Sequence, residues 1–406
     1  MLRTIEYATG RCRRPAFAGT PLLRRRLLAA LAAAAVVALA APPEAGAIPQ
    51  FARRFDVPCG QCHVIPPKLN DFGERFVAAG YELPELTARP TVPASLWVSG
   101  RTEHRRIDGD RELVDPYLNR VELISGGRLL APWLSYFVEW RLVSQEAQGD
   151  GSLRDRSGRF EDAFVVASLG PRAALTVGQF RGVDQVDVSR RLGLSEPLAL
   201  SASLPGEGGS TPRRRSLRAF SPSGRSPGVR LAWTDRLSGA WDWTASATVP
   251  FSGELSIPLN SEARREASNE VELTAKGVLV EGYVRRGITS YGGHVFYDDG
   301  DRWLASAVAA GGRAPFYWTA VAGVDEVAGT ERTRWSLEGE YLRGPRWGIG
   351  ARAEDRSRDG ADPALLPYAT WHHHWPGRLP THLSVTLEQR LQEERNATLL
   401  EVGLYF

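Results

Sequence analysis

Residues 334–341 read Arg334-Trp335-Ser336-Leu337-Glu338-Gly339-Glu340-Tyr341. Trp335, Leu337 and Tyr341 fall on one parity, and Arg334, Ser336, Glu338 and Glu340 on the other. Alternation with a period of two is the pattern of a strand whose two faces meet different surroundings. The charged parity carries arginine and glutamate together. A soluble β-sandwich also alternates, but charges on its inward face would destroy the core, whereas a wet lumen suits them.

The same pattern recurs on both sides of that stretch. Leu134, Tyr136, Val138, Trp140 and Leu142 alternate with Ser135, Glu139 and Arg141. Leu383, Val385 and Leu387 alternate with His382, Ser384, Thr386, Glu388 and Arg390. From about Ala94 onward methionine is absent and lysine nearly so, while tryptophan and tyrosine are frequent. Turn signals at Ala131-Pro132, Gly170-Pro171, Arg236 to Gly239, Gly311 to Pro315, Gly344-Pro345 and Pro376-Gly377 mark short connections. Polar stretches at Gln145 to Gly158, Arg181 to Arg215 and Ile288 to Gly300 read as long loops between them. Short turns on one side and long loops on the other are the pattern of an outer-membrane barrel, and an even count of about sixteen strands fits the length. Leu400, Val402, Leu404 and Phe406 alternate to a terminal phenylalanine, the usual end of a strand read by barrel-assembly machinery. The expected fold class is all-β: a transmembrane antiparallel β-barrel over 94–406, preceded by a short α-helical segment over 48–93.

Residues 1–47 read as an export signal. Arg11, Arg13, Arg14 and Arg24 to Arg26 are basic, Leu27 to Ala40 is apolar, and Ala45-Gly46-Ala47 offers small residues for cleavage. The alternative is a membrane anchor, but the apolar run is too short and ends in Pro42-Pro43. A net charge of +3, with both signs interspersed, gives no reason to expect a nucleic-acid partner.

Cys59-Gly60-Gln61-Cys62-His63 is C-x-x-C-H, the attachment signature of haem c. Two thiols at this spacing add across the two porphyrin vinyl groups, and the next histidine becomes the proximal iron ligand. The competing reading is a surface disulfide beside an incidental histidine. The third cysteine, Cys12, lies in the export signal. Cofactor-binding residues are therefore expected to be Cys59 and Cys62, covalently, and His63 as axial ligand of a single haem. Leu69, Phe72 and Phe76 recur at helical spacing between Pro66-Pro67 and Gly80, and Phe51 and Phe55 make a matching face, with the haem plane as the expected partner of these aromatics. The segment is too small to stand alone, so it is expected inside or across the periplasmic mouth of the lumen.

Residues 48–81 resemble the fused cytochrome–porins of iron-oxidising bacteria, outer-membrane proteins with one haem c ahead of a sixteen-stranded barrel. The likeness rests on Pro49, Phe51, Ala52, Arg53, Cys59, Cys62, His63, Pro67, Leu69, Asn70, Phe72, Gly73, Phe76, Gly80 and Tyr81. The barrel matches in architecture, and Val177-Gly178-Gln179-Phe180 looks like a porin strand end. The resemblance implies an electron-transfer conduit that oxidises extracellular Fe(II) and delivers the electron to a periplasmic c-type cytochrome or another carrier, an oxidoreductase activity if it is an enzyme at all. Export of electrons to external acceptors, or a passive diffusion porin with a haem-bearing plug, remain open, and a peroxidase has no evident pocket. Asp298-Asp299-Gly300-Asp301 offers oxygen ligands to Fe(II), though a solvated loop is the better reading of it. One macrocycle cannot cover an apolar band of about 25 Å, so either the donor enters the lumen or the loop from Arg181 to Arg215 folds inward.

Met1 is the only methionine, so the sixth iron ligand is not expected to be methionine. Candidates are His372, His374 and His382, which parity and strand direction place on the lumenal face at the periplasmic end, with His374 opposite His382. His373 is expected to face lipid, and His104 and His294 to lie near external loops. Lys68 or Asn70, or five-coordinate iron, are the alternatives.

Overall fold

The computed structural model describes residues 49–406, except 82, 84, 90, 108–109, 148–151, 184–190, 196–223, 239–240, 252–254, 258–274, 299–301, 328–329, 356–362, 376–380 and 393–394. The export signal, Asp299 to Asp301, the Pro376 turn and most of the loop after Arg181 lie outside the described residues.

Sixteen long antiparallel strands close into a barrel, each paired with its sequence neighbour. The first, β3 (Ala94–Ile107), pairs along its length with the last, β19 (Arg395–Tyr405). A three-residue strand, β6 (Leu153–Asp155), lies against the end of β5 (Leu134–Ala147), inside the stretch expected as a long loop. Closure leaves no edge strand, so every strand satisfies its backbone groups on both sides.

The alternation decides which side chains point inward. On β15 (Thr330–Arg343), Arg334, Ser336, Glu338 and Glu340 are buried, while Leu337 is 56% exposed on the outer surface. On β18 (Thr381–Arg390), Glu388 is fully buried and Leu387 is 47% exposed. Inward charges are paired across the wall: Arg101 with Glu401, Arg225 with Glu139 and Asp162, Arg334 with Asp325, Arg352 with Glu354. The burial order of a soluble protein is thus inverted, with charge inside and large apolar side chains outside.

One loop expectation is corrected. Ile288 to Gly300 is not a loop: Thr289–Tyr297 forms β12, paired on both edges, and the connection from β11 (Val278–Arg286) is the two-residue turn Gly287-Ile288. Gly292-Gly293 hid the strand, because two adjacent glycines read as a breaker. Here they are required: a Cβ on Gly292 would sit 2.3 Å from the Gly282 carbonyl oxygen across the ladder. His294 accordingly sits in a strand, buried, rather than in a loop.

The N-terminal segment comprises helix α1 (Pro49–Phe55), a 3-10 turn Cys59–Gln61, the ribbon β1 (His63–Ile65) and β2 (Lys68–Leu69), and helix α2 (Asp71–Ala78). Helix α2 starts later than the sequence suggests, because Lys68 and Leu69 pair with β1. Asn70 caps it, its side chain accepting from the Gly73 amide while its own amide donates to the Gly60 and Gln61 carbonyls. One residue thus ties the helix to the Cys59–Gln61 turn.

This segment packs against the interior near the short-turn end of the barrel. The Gln50 amide donates to Ser95 Oγ, Glu74 pairs with Arg285, and Lys68 pairs with Glu340. Phe51, Phe55, Phe76 and Tyr81 form an apolar cluster with Ile124 and Phe137 of the wall, Tyr81 stacking on Phe137 at 4.9 Å. These aromatics pack on one another and on the barrel. Gly73 is the tightest point of the packing, since a Cβ there would lie 2.1 Å from the Cys62 carbonyl oxygen. The Gly73→Ala variant is expected to push helix α2 off Cys62, at about 1–3 kcal/mol or more for overpacking. Protease cleavage within residues 49–89 of the folded barrel is the readout, and wild-type resistance would refute the expectation.

Candidate functional site

Cys59 is 1% exposed and packs on Ala52, and Cys62 is also buried; the two thiols are not joined. Burial pushes the Cys59 thiol up, with the neighbouring Cys62 adding to it, and burial holds Cys62 at about 11. His63 donates its Nδ1 proton to the Pro67 carbonyl at 3.1 Å, which fixes the tautomer and leaves the lone pair on Nε2. Enclosure lowers the His63 pKa to about 4 against the upward pull of its backbone hydrogen bonds, so the imidazole is neutral at ordinary pH. A neutral imidazole oriented through its far nitrogen is the arrangement that metal-ligating histidines share.

His63 lines a lumenal cavity of about 620 Å³ together with Pro67, Leu69, Tyr81, Phe137, His382 and Tyr405. That volume lies within the range of small-molecule and cofactor sites, roughly 300–1,000 Å³. The wall is apolar around His63 and charged further along, where Glu139, Asp162, Arg225 and Arg230 border the same space. The donor set fits haem c: Cys59 and Cys62, buried beside the cavity-lining His63, could carry the macrocycle, and His63 could ligate its iron.

The three candidate distal histidines come together. His374 pairs directly with His382 across β17 (Ala364–Trp375) and β18, and His372, His374 and His382 are all buried on the inward parity. His373 has the opposite parity and is buried for another reason, its ring lying between Trp371 and Trp375. Lys68 is committed to Glu340 and Asn70 to its cap, so neither is free to ligate iron in this conformation.

One element of the site was not read from the sequence. Phe137 breaks the polar parity of β5 because it meets Tyr81 of the N-terminal segment; an aromatic on an otherwise charged face was the available signal. The stretch Arg191 to Ser195, within the loop for which an inward fold was one of two expectations, lies inside the lumen. Arg191 pairs with Glu338, the Leu192 amide donates to Glu340, and the amides of Leu194 and Ser195 donate to Glu388. Leu192 packs with Ile65, Tyr317, Leu342 and Tyr368. No periodicity announces such a fold-back.

Glu340 is the meeting point. It takes Lys68 of the N-terminal segment, the Leu192 amide of the inward loop and the Tyr368 hydroxyl of the wall. Removing a buried charged partner costs about 3–5 kcal/mol. Glu340→Ala is therefore expected to loosen residues 63–70 and 191–195 together, seen as faster amide exchange in both, with Glu340→Gln intermediate. Faster exchange in one segment alone would show that they are not held in common.

No family model and no curated protein matches the chain. Among solved structures, it is similar to OmpF of Salmonella typhi in complex with daunomycin, at 11% identity over 77% of this chain and 97% of that one, with a TM-score of 0.49. An anion-selective porin from Comamonas acidovorans aligns at 13% identity over 78% and 98% of the two chains, TM-score 0.46. A mutant of the Rh. blastica porin aligns at 13% identity over 77% and 99%, TM-score 0.43. These likenesses are weak, and the barrel assignment stands on the strand pairing of the chain itself.

Proposed function

We propose that this chain is an outer-membrane electron conduit carrying one covalent haem c within its lumen. The observation that carries the reading is the C-x-x-C-H motif held inside a closed barrel, with the His63 Nε2 lone pair available beside a cavity. Membrane residence is supported by the outer surface. Val280, Val295, Leu337 and Ile349 are each more than half exposed, and an apolar belt of this kind is at home against lipid rather than water. Trp347 and Trp371 meet on that surface near a short turn, where an aromatic girdle belongs.

Cys59 and Cys62 hold the group by thioether bonds, and His63 supplies the proximal nitrogen, kept neutral and aimed by Pro67. Bound haem c supplies a one-electron iron couple. The apolar wall around Tyr81 and Phe137 excludes water from one side, and the paired charges farther along keep the rest of the lumen polar. Extracellular Fe(II) as donor, and a periplasmic cytochrome or other carrier as acceptor, follow from the resemblance at residues 48–81. Electron export would use the same parts in reverse.

A second reading, a passive diffusion porin whose haem segment is only a plug, draws support from the charged lumenal wall. The test is direct. Purified protein is mixed anaerobically with Fe(II) and the haem absorbance bands are followed. Reduction that reverses on adding an oxidised periplasmic cytochrome supports the conduit; haem that Fe(II) leaves oxidised favours the plug.

A further inference from the structure

Four side chains form a hydrogen-bonded chain on the inner wall. His382 Nε2 lies 2.8 Å from His372 Nδ1, His372 Nε2 lies 2.9 Å from Thr370 Oγ1, and Thr370 Oγ1 lies 2.8 Å from Thr386 Oγ1. With neutral rings two proton arrangements satisfy the chain, and the one that leaves a lone pair on His382 Nδ1 has His382 donating from Nε2 and His372 donating in turn to Thr370. The His382 ring is also clamped between flat neighbours, Tyr405 at 5.0 Å and 12° and His374 at 4.4 Å and 32°. A histidine that only fills a wall has no need of this much orientation.

The neighbours sort themselves by what their nitrogens are doing. His372 has both nitrogens tied in the chain. His374 has both nitrogens buried without a hydrogen-bond partner, and it does not line the cavity. His382 has one nitrogen tied, and of the three it is the one that lines the cavity shared with His63. In that arrangement His63 and His382 are built alike: each imidazole gives one N–H to a fixed acceptor and borders the same space. Lys68 and Asn70 are otherwise occupied, and no methionine lies within 49–406.

We infer that His382 is the second axial ligand of the haem iron, with His372 as the residue that positions it. The inference rests on the haem reading above. A hydrogen bond from a ligating imidazole to an acceptor raises the basicity of the ligand, so His372 also lowers the reduction potential. His374 packs beside the pair without ligating.

The experiment uses the full-length holoprotein in detergent. Denaturing electrophoresis with haem staining comes first; absence of covalent haem in the wild type would remove the haem reading, and this inference with it. With haem present, electron paramagnetic resonance and near-infrared magnetic circular dichroism of the oxidised wild type are expected to give a low-spin, bis-imidazole signature. His382→Ala is expected to turn high-spin and to return to low-spin on adding imidazole. His374→Ala is expected to keep the wild-type spectrum. His372→Ala is expected to stay low-spin with a raised midpoint potential, a change that mere loosening of the wall would not produce. A wild type that is high-spin, or a His382→Ala protein with the wild-type signature, overturns the assignment while leaving covalent haem in place. Should His382→Ala fail to accumulate as a folded barrel, the wild-type dichroism alone decides between two imidazoles and any other pair.

Discussion

Replacing Cys59 and Cys62 together by alanine is expected to abolish covalent haem and to drop Fe(II)-dependent reduction to background, while the barrel still folds. The two thiols are the only groups in the N-terminal segment able to form thioethers, and His63 alone offers one coordinate bond to a group that would otherwise diffuse away. The loss is local because the cysteines contact their own segment: Cys59 touches Ala52, and the Cys62 carbonyl accepts from the Asn70 amide. None of the sixteen barrel strands depends on either side chain for its ladder. Heat-modified electrophoretic mobility reports the barrel, and haem staining reports the cofactor. A double variant that retained stained haem, or that still reduced at the wild-type rate, would show that the motif is not the attachment site.

Deleting residues 49–89 is expected to have an effect as large, on conductance. A sixteen-stranded barrel encloses more space than its own side chains fill and leaves an aqueous channel. Here the short-turn end of that space holds Phe51, Phe55, Phe76 and Tyr81 packed on Ile124 and Phe137, and the middle holds Leu192 packed on Ile65. The intact protein in a planar bilayer should stay near baseline, and the deleted form should show discrete open-channel steps. Intact protein that conducts as well as the deleted form would favour the passive-porin reading.

The barrel was legible wherever two physical conditions alternate along one strand. Arg334 to Tyr341 and His382 to Arg390 announce both faces because charge meets the lumen and aliphatic or aromatic groups face outward. That logic weakens where a third surface intrudes. Phe137 faces inward like Glu139, yet it meets Tyr81 rather than water. Thr289 to Tyr297 carries glycines where neighbouring backbones approach closely, so its pattern reads as a loop. The C-x-x-C-H spacing of Cys59, Cys62 and His63 is also plain in the sequence. It brings His372, His374 and His382 to one end of the barrel by parity, but parity cannot say which ring borders the cavity with His63. That depends on side-chain rotations, which no one-dimensional pattern records.

The depth at which Cys59 lies sets an order of events in biogenesis. With 1% of its surface exposed and Ala52 of helix α1 packed on it, the thiol is out of reach of an attaching enzyme once the segment has folded. On the haem reading proposed above, attachment would then have to precede the packing of helix α1 on Cys59, and a segment that folds first would remain empty.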